Sequence, residues 1–206
     1  MKKQIEPIEM YLKAMYEFKH RIIVVGAMCE NMYINKKSGN IIDVENICLQ
    51  IRKLLELIAM SSLIMSKQAF TNAREGFEKM WNAKYILKDI KQIHPDFFPM
   101  SISGLLSENN GSYQMEDIKH EVLTEKMFCK IYDKCGVALH IPNPFSVDNN
   151  IVKYLGEQIP KWLDLIFLTM KKHMVLLYGT DLYYAVELNE VAENITYTLC
   201  QKKTNN

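Results

Sequence analysis

The chain has 206 residues, a net charge of +1 and an apolar fraction of 49 %. A chain of that length buries on the order of 70 % of its unfolded surface, so one large domain, or one domain with an appendage, needs no staple to hold it. The near-zero charge excludes a global field that would recruit nucleic acid or an anionic membrane.

No run of about 18 uncharged apolar residues is present to span a bilayer, and the N-terminus is charged without the apolar core of a secretory leader. Cys29, Cys48, Cys129, Cys135 and Cys200 are odd in number and scattered, with no CxxC and no Cys/His spacing suited to zinc. They read as reduced core thiols of a cytoplasmic protein. No cofactor motif appears: there is no Gly-rich phosphate loop, GxSxG, HExxH or EF-hand.

Residues 8–34 read as a first long helix, with Ile8, Tyr11, Leu12, Met15, Phe18, Ile22, Val25 and Met32 on one face. A short turn at 36–40 then predicts an antiparallel second helix over 43–68, with Asp43 as its N-cap. Its apolar residues surround it from Leu54 onward, so it should be central, with neighbours on several sides. Arg52 and Glu56 stand four apart on one stripe of this helix. They read either as an internal ion pair tying helices together or as a ligand-binding pair.

A third helix is expected over 69–94, with Trp81 on its buried side and Lys84 close by. Pro95 ends it, and the run from His94 to Pro99 predicts a rigid corner in which Phe97 and Phe98 plug the bundle. Residues 100–103 and 113–118 read as two short strands around the Asn110-Gly111 turn, a loop or hairpin insertion at 99–121. Thr124 caps a fourth helix over 125–140, in which Gly136 signals close packing and His140 sits at the C-terminal end. A fifth helix over 148–172 contains Pro160, expected to kink or split it. Residues 174–178, 182–188 and 195–200 read as three strands. The fold class is therefore α+β: a helical bundle of about five helices over residues 1–172, with a small antiparallel meander over 173–206 packed on it.

Lys134, His140 and Asn143 cluster near one helix end, where a cation and an imidazole can flank a phosphate. Lys134-x5-His140, on the late helix of a bundle, resembles the Arg-x4-6-His motif of HEPN domains. The likeness covers residues 8–140, with Lys134 where the family has Arg and Cys135 where it has a polar residue. It implies a metal-independent endoribonuclease acting on RNA as a homodimer, with His140 and Lys134 as the catalytic pair. The segments LQIRKLLELIAMSSL, WNAKYILKDIKQIHPDFFP and YDKCGVALHIPNPF are similar to a set of uncharacterised bacterial proteins. That second likeness marks Arg52, Trp81, Lys84, His140 and Asn143. The leading expectation is a cytoplasmic binding or regulatory protein of bacterial type, suggestive of defence. It would hold a protein, small molecule or nucleotide in a polar pocket between helices two to four, with Arg52, Glu56, Trp81, Lys84 and Asn143 as ligand-binding residues. Trp81 can stack a base or belong to the core.

Overall fold

The computed structural model describes residues 6–34, 40–68, 81–107, 113–116, 118–141, 151–189 and 194–201. Among them lie five long helices: α1 (Pro7–Ile34), α2 (Ile41–Met65), α3 (Ala83–Ile93), α4 (Glu125–Ala138) and α5 (Ile151–Lys171). The strands are β1 (Met100–Ser101), β2 (Leu105–Ser107), β3 (Tyr113–Met115), β4 (Lys172–Leu176), β5 (Leu182–Leu188) and β6 (Ile195–Gln201). The architecture is α+β and mainly helical, and no helix of the described residues is long and apolar enough to cross a membrane.

Helix α2 occupies the centre. It touches α1, α3, α4, α5 and β4, and Ile47, Ile51, Leu54, Leu55 and Ile58 are fully enclosed. Its all-round apolar surface requires those neighbours. Helix α1 runs antiparallel to it, with Arg21 Nη1 donating to Gln50 Oε1 at 2.8 Å. The cap of α2 is Asn40, not Asp43. Asn40 is extended and its side-chain oxygen accepts the Asp43 N–H at 2.9 Å, leaving the Asp43 charge inside the first turn, beside the helix dipole.

Helix α3 begins only at Ala83, because the Asn82 side chain accepts the N–H groups of Lys84 and Tyr85 and caps it there. Trp81 therefore precedes the helix and is 71 % exposed rather than on a buried face. The earlier part of the expected third helix, 69–80, lies outside the described residues, as do Asn110-Gly111, Pro142, Asn143 and Pro144. At the corner after α3 the rings of Phe97, Phe98, Phe128 and Tyr132 meet in succession, the first two contacts edge-on and the last stacked. Thr124 caps α4 by accepting the Met127 N–H. The N–H groups of Leu139 and His140 close that helix by bonding the carbonyls three residues back, of Gly136 and Val137, so His140 lies past its end. Pro160 does not split α5, which continues through it to Lys171.

The sheet order is β1-β4-β5-β6, all antiparallel, and β2 pairs with β3 in a separate hairpin. Tyr113–Met115 thus pairs with Leu105–Ser107 and not with Met100–Ser101. The latter is drawn onto β4, where the Ile102 N–H bonds the Lys172 carbonyl at 2.9 Å and Ser101 is buried. Val175, Val186, Leu188 and Ile195 join the helical core from one face of the sheet. Ile102, Met174 and Ala185 form a second small cluster, with Leu105, Tyr183 and Cys200 packed on it. The alternation of strand side chains assigns these two sets to opposite faces.

Strand β4 follows α5 without a connecting residue, and its second position is His173, fully buried. The His173 Nδ1–H donates to the Met170 carbonyl at 2.8 Å, which leaves Nε2 to accept the Tyr11 hydroxyl at 2.7 Å. Burial lowers the His173 pKa to about 4 from 6.5, and burial lowers that of His94 as well. As pH falls from 6.5 to about 4, the unfolded chain takes up a proton at His173 that the folded chain refuses. Stability should therefore decline through that window by about 1.4 kcal/mol per pH unit from this group, with His94 adding in the same direction. Urea midpoints measured down the window check this, and His173→Gln should give a visibly shallower slope than the parent.

Candidate functional site

The site grows from a conflict in α2. A helix enclosed by neighbours still carries two full charges, Arg52 and Glu56, and both side chains are about one-fifth exposed (22 % and 20 %). They lie where α4 crosses α2. Arg52 Nε stands 3.4 Å from Glu56 Oε1, Arg52 Nη2 donates to the Tyr132 hydroxyl at 2.6 Å, and that hydroxyl donates to Glu56 Oε1 at 3.3 Å. The guanidinium carbon sits 3.9 Å from the centroid of the Tyr132 ring, within cation–π range. Lys53 completes the Glu56 carboxylate with a 2.9 Å ion pair to Oε2.

Gly136 makes this approach possible. A Cβ placed there would stand 2.9 Å from Arg52 Nη1, so alanine would push against the guanidinium. Tyr132 and Gly136 are four residues apart and present one face of α4 to Arg52. Phe128, four residues earlier, stacks on Tyr132 with the rings 11° from parallel and holds the phenol in place. Burial raises the Tyr132 pKa, the Arg52 charge pulls it down and Glu56 pushes it up again. The phenol is therefore a neutral hydrogen-bond relay between the guanidinium and the carboxylate. Cys48, one turn before Arg52, hydrogen-bonds Cys135, and that bond together with burial holds the Cys135 thiol well above its ordinary value. These buried thiols are packing groups and not nucleophiles.

The start of α3 borders the same place. The Ala83 amide acts on the Tyr132 oxygen, and Lys84 Nζ forms a two-pronged bond to Asp133 at 2.8 and 2.9 Å. The Asp133 hydrogen bond raises the Lys84 pKa. Trp81 and Tyr85 stand exposed at this helix end. Arg52, Glu56 and Lys84 thus converge on successive residues of α4, Tyr132 and Asp133. Arg52, Lys53 and Lys84 oppose Glu56 and Asp133, leaving one positive charge in excess.

Lys134 and His140 do not join them. Lys134 turns to the other side of α4, where its ammonium lies 5.4 Å from the centroid of the Tyr154 ring on α5. His140 is exposed beyond the end of α4, flanked by exposed Leu139 and Ile141, with Val137 also exposed on the last turn. Tyr132, the hub of the cluster, is absent from the residues singled out by sequence. Its available signal is the spacing Phe128–Tyr132–Gly136, an aromatic pair followed by a gap on one helical stripe. Among the described residues, no three His, Cys, Asp or Glu side chains gather as a metal site.

Arg52→Ala should lower stability by about 1–2 kcal/mol, less than for a sealed ion pair because water already reaches a fifth of each partner. Gly136→Ala should change stability by less than about 1 kcal/mol, since its helix propensity gain is offset by displacing the guanidinium. In the Arg52→Ala background the same substitution should stabilise by about 1 kcal/mol. Equal effects of Gly136→Ala in the two backgrounds, read by urea unfolding, would mean that Arg52 does not rest on Gly136. No family model matches the chain, nor does any curated protein or solved structure.

Proposed function

We propose that this chain is a binding protein that recognises a small anionic ligand at the seam of α2, α3 and α4, with a nucleotide as the first ligand to test. The observation that supports this most is the state of Arg52. Its guanidinium is held by the Tyr132 ring and hydroxyl and by Glu56, yet Nη1 has no acceptor among the described residues and the side chain is partly open to solvent. A preorganised guanidinium edge takes an oxyanion with little further ordering cost. The exposed Trp81 ring at the start of α3 is of the type that stacks a base.

The test is calorimetry with ATP, GTP and inorganic phosphate on the parent, Arg52→Lys and Gly136→Ala. Binding by the parent should weaken at least about tenfold in Arg52→Lys, which keeps the charge and loses the fork. Gly136→Ala should weaken it too while the fold is retained. Absence of any heat with all three ligands, or equal affinity in Arg52→Lys, would overturn this reading.

A second reading, a HEPN-like metal-independent ribonuclease, has one observation in its favour. His140 stands exposed among exposed Val137, Leu139 and Ile141, an apolar setting on which a second copy would bring two imidazoles together. Lys134, engaged over Tyr154, lends it no support. Under this reading the protein elutes as a dimer, cleaves mixed RNA in the presence of a chelator, and loses cleavage in His140→Ala with its melting temperature unchanged. A dimer with no cleavage would sink it.

A further inference from the structure

A cleft of about 340 Å³ lies between the β2–β3 hairpin and the face of the sheet turned away from the helical core. It is independent of the Arg52 cluster and draws its walls from two pieces of chain far apart in sequence. Its apolar floor is Ile102, Leu105 and Ala185. Ala185 is a small residue between Tyr183 and Glu187 on the same strand face, and the missing bulk opens the floor.

The polar groups lie around that floor. Lys172 and Glu187, paired across β4 and β5, form a 3.0 Å ion pair on one wall. Thr196 and Thr198 of β6 add hydroxyls. On the hairpin side the Glu116 carboxylate has no ion-pair partner among the described residues. It folds directly over Gly104, where any Cβ would collide with its Oε2. Gly104 does not have a positive φ, so its role there is close approach and not an unusual backbone angle. The glycine thus leaves room for the carboxylate to lie against the chain at the edge of the cavity, and a Cβ there would make this exposed side chain swing aside.

We propose that this cleft binds an aliphatic amine, of the diamine or polyamine class. Two carboxylates against one ammonium leave the cleft negative, and Glu187 is already matched by Lys172, so Glu116 is the group left to take a cation. Its oxygen accepts from the ligand's ammonium, the threonine hydroxyls accept from the remaining N–H groups, and the methylene stem lies on Ile102, Leu105 and Ala185. The volume is at the lower end of the range for small-molecule sites and suits a short linear chain. The bond is an exposed, charge-assisted one, so it weakens with salt.

Calorimetry of the full chain with spermidine, putrescine and the uncharged hexane-1,6-diol tests this. Spermidine should bind with a Kd below about 1 mM at low salt, weaken as salt rises, and outcompete the diol. Glu116→Gln should weaken spermidine at least about tenfold, the loss of one charge-assisted hydrogen bond. Gly104→Ala keeps the carboxylate but displaces it, and should weaken binding similarly, with circular dichroism confirming the fold. Arg52→Ala should leave spermidine affinity unchanged, which separates this cleft from the anion site. No heat with spermidine up to about 10 mM, equal affinity for the diol, or an unaltered Glu116→Gln variant would overturn the proposal.

Discussion

A helix enclosed by neighbours can carry a charge only where those neighbours supply partners, and this requirement shapes the chain around α2. Leu54, Leu55 and Ile58 fix α2 at the centre by apolar burial. Arg52 then demands that whatever crosses its stripe be polar at one point and thin at another. Helix α4 meets both demands four residues apart, with the Tyr132 hydroxyl and the Gly136 gap. The cluster is therefore a packing solution before it is a site. What the packing leaves over is a guanidinium edge still in contact with water.

The ring of Tyr132 is itself held from behind. Phe97, Phe98 and Phe128 connect the proline corner after α3 to the phenol by contacts between neighbouring rings. Such contacts have geometric preferences, so the corner and the cluster share one set of allowed positions. A shift of the corner would move the phenol and with it the guanidinium. The far side of the molecule is organised differently. There a thin second cluster around Ile102, Met174 and Ala185 supports the hairpin, and an open cleft remains beside it.

The helices were legible because their burial is periodic: the faces of α1 and α2 match Tyr11, Met15, Phe18, Ile51, Leu54 and Ile58 as buried. The three C-terminal strands were legible because runs rich in aromatic and β-branched residues are separated by the Gly179-Thr180-Asp181 turn and the polar stretch 189–194. Met100–Ser101 was legible as a strand, but its partner was not, since the pairing with β4 spans more than seventy positions. Strand β2 was not legible, since its three residues carry no period. The Asn40 cap escaped because Asp43 is an equally good capping residue, and only the backbone angles choose between them. Within the site, Arg52 and Glu56 stand out in sequence by being charged on an apolar helix. Tyr132 does not, because a tyrosine on a helix face looks like any core aromatic. Gly104 and Glu116 escaped for the same reason as the pairing of β1: their closeness is made by a hairpin whose register is not written in either residue.

The direct passage of α5 into β4 carries one more consequence. Lys171 ends the helix and Lys172 begins the strand, and the next residue, His173, is bonded to Tyr11 near the other end of the chain. The bundle and the sheet therefore have no hinge between them at this point. A truncation just after α5 would strip the Tyr11 phenol of its acceptor deep in the core. Tension applied at the C-terminus would peel the edge strand β6 from β5 first, and would load the first helix through that hydrogen bond only once the pull reached β4.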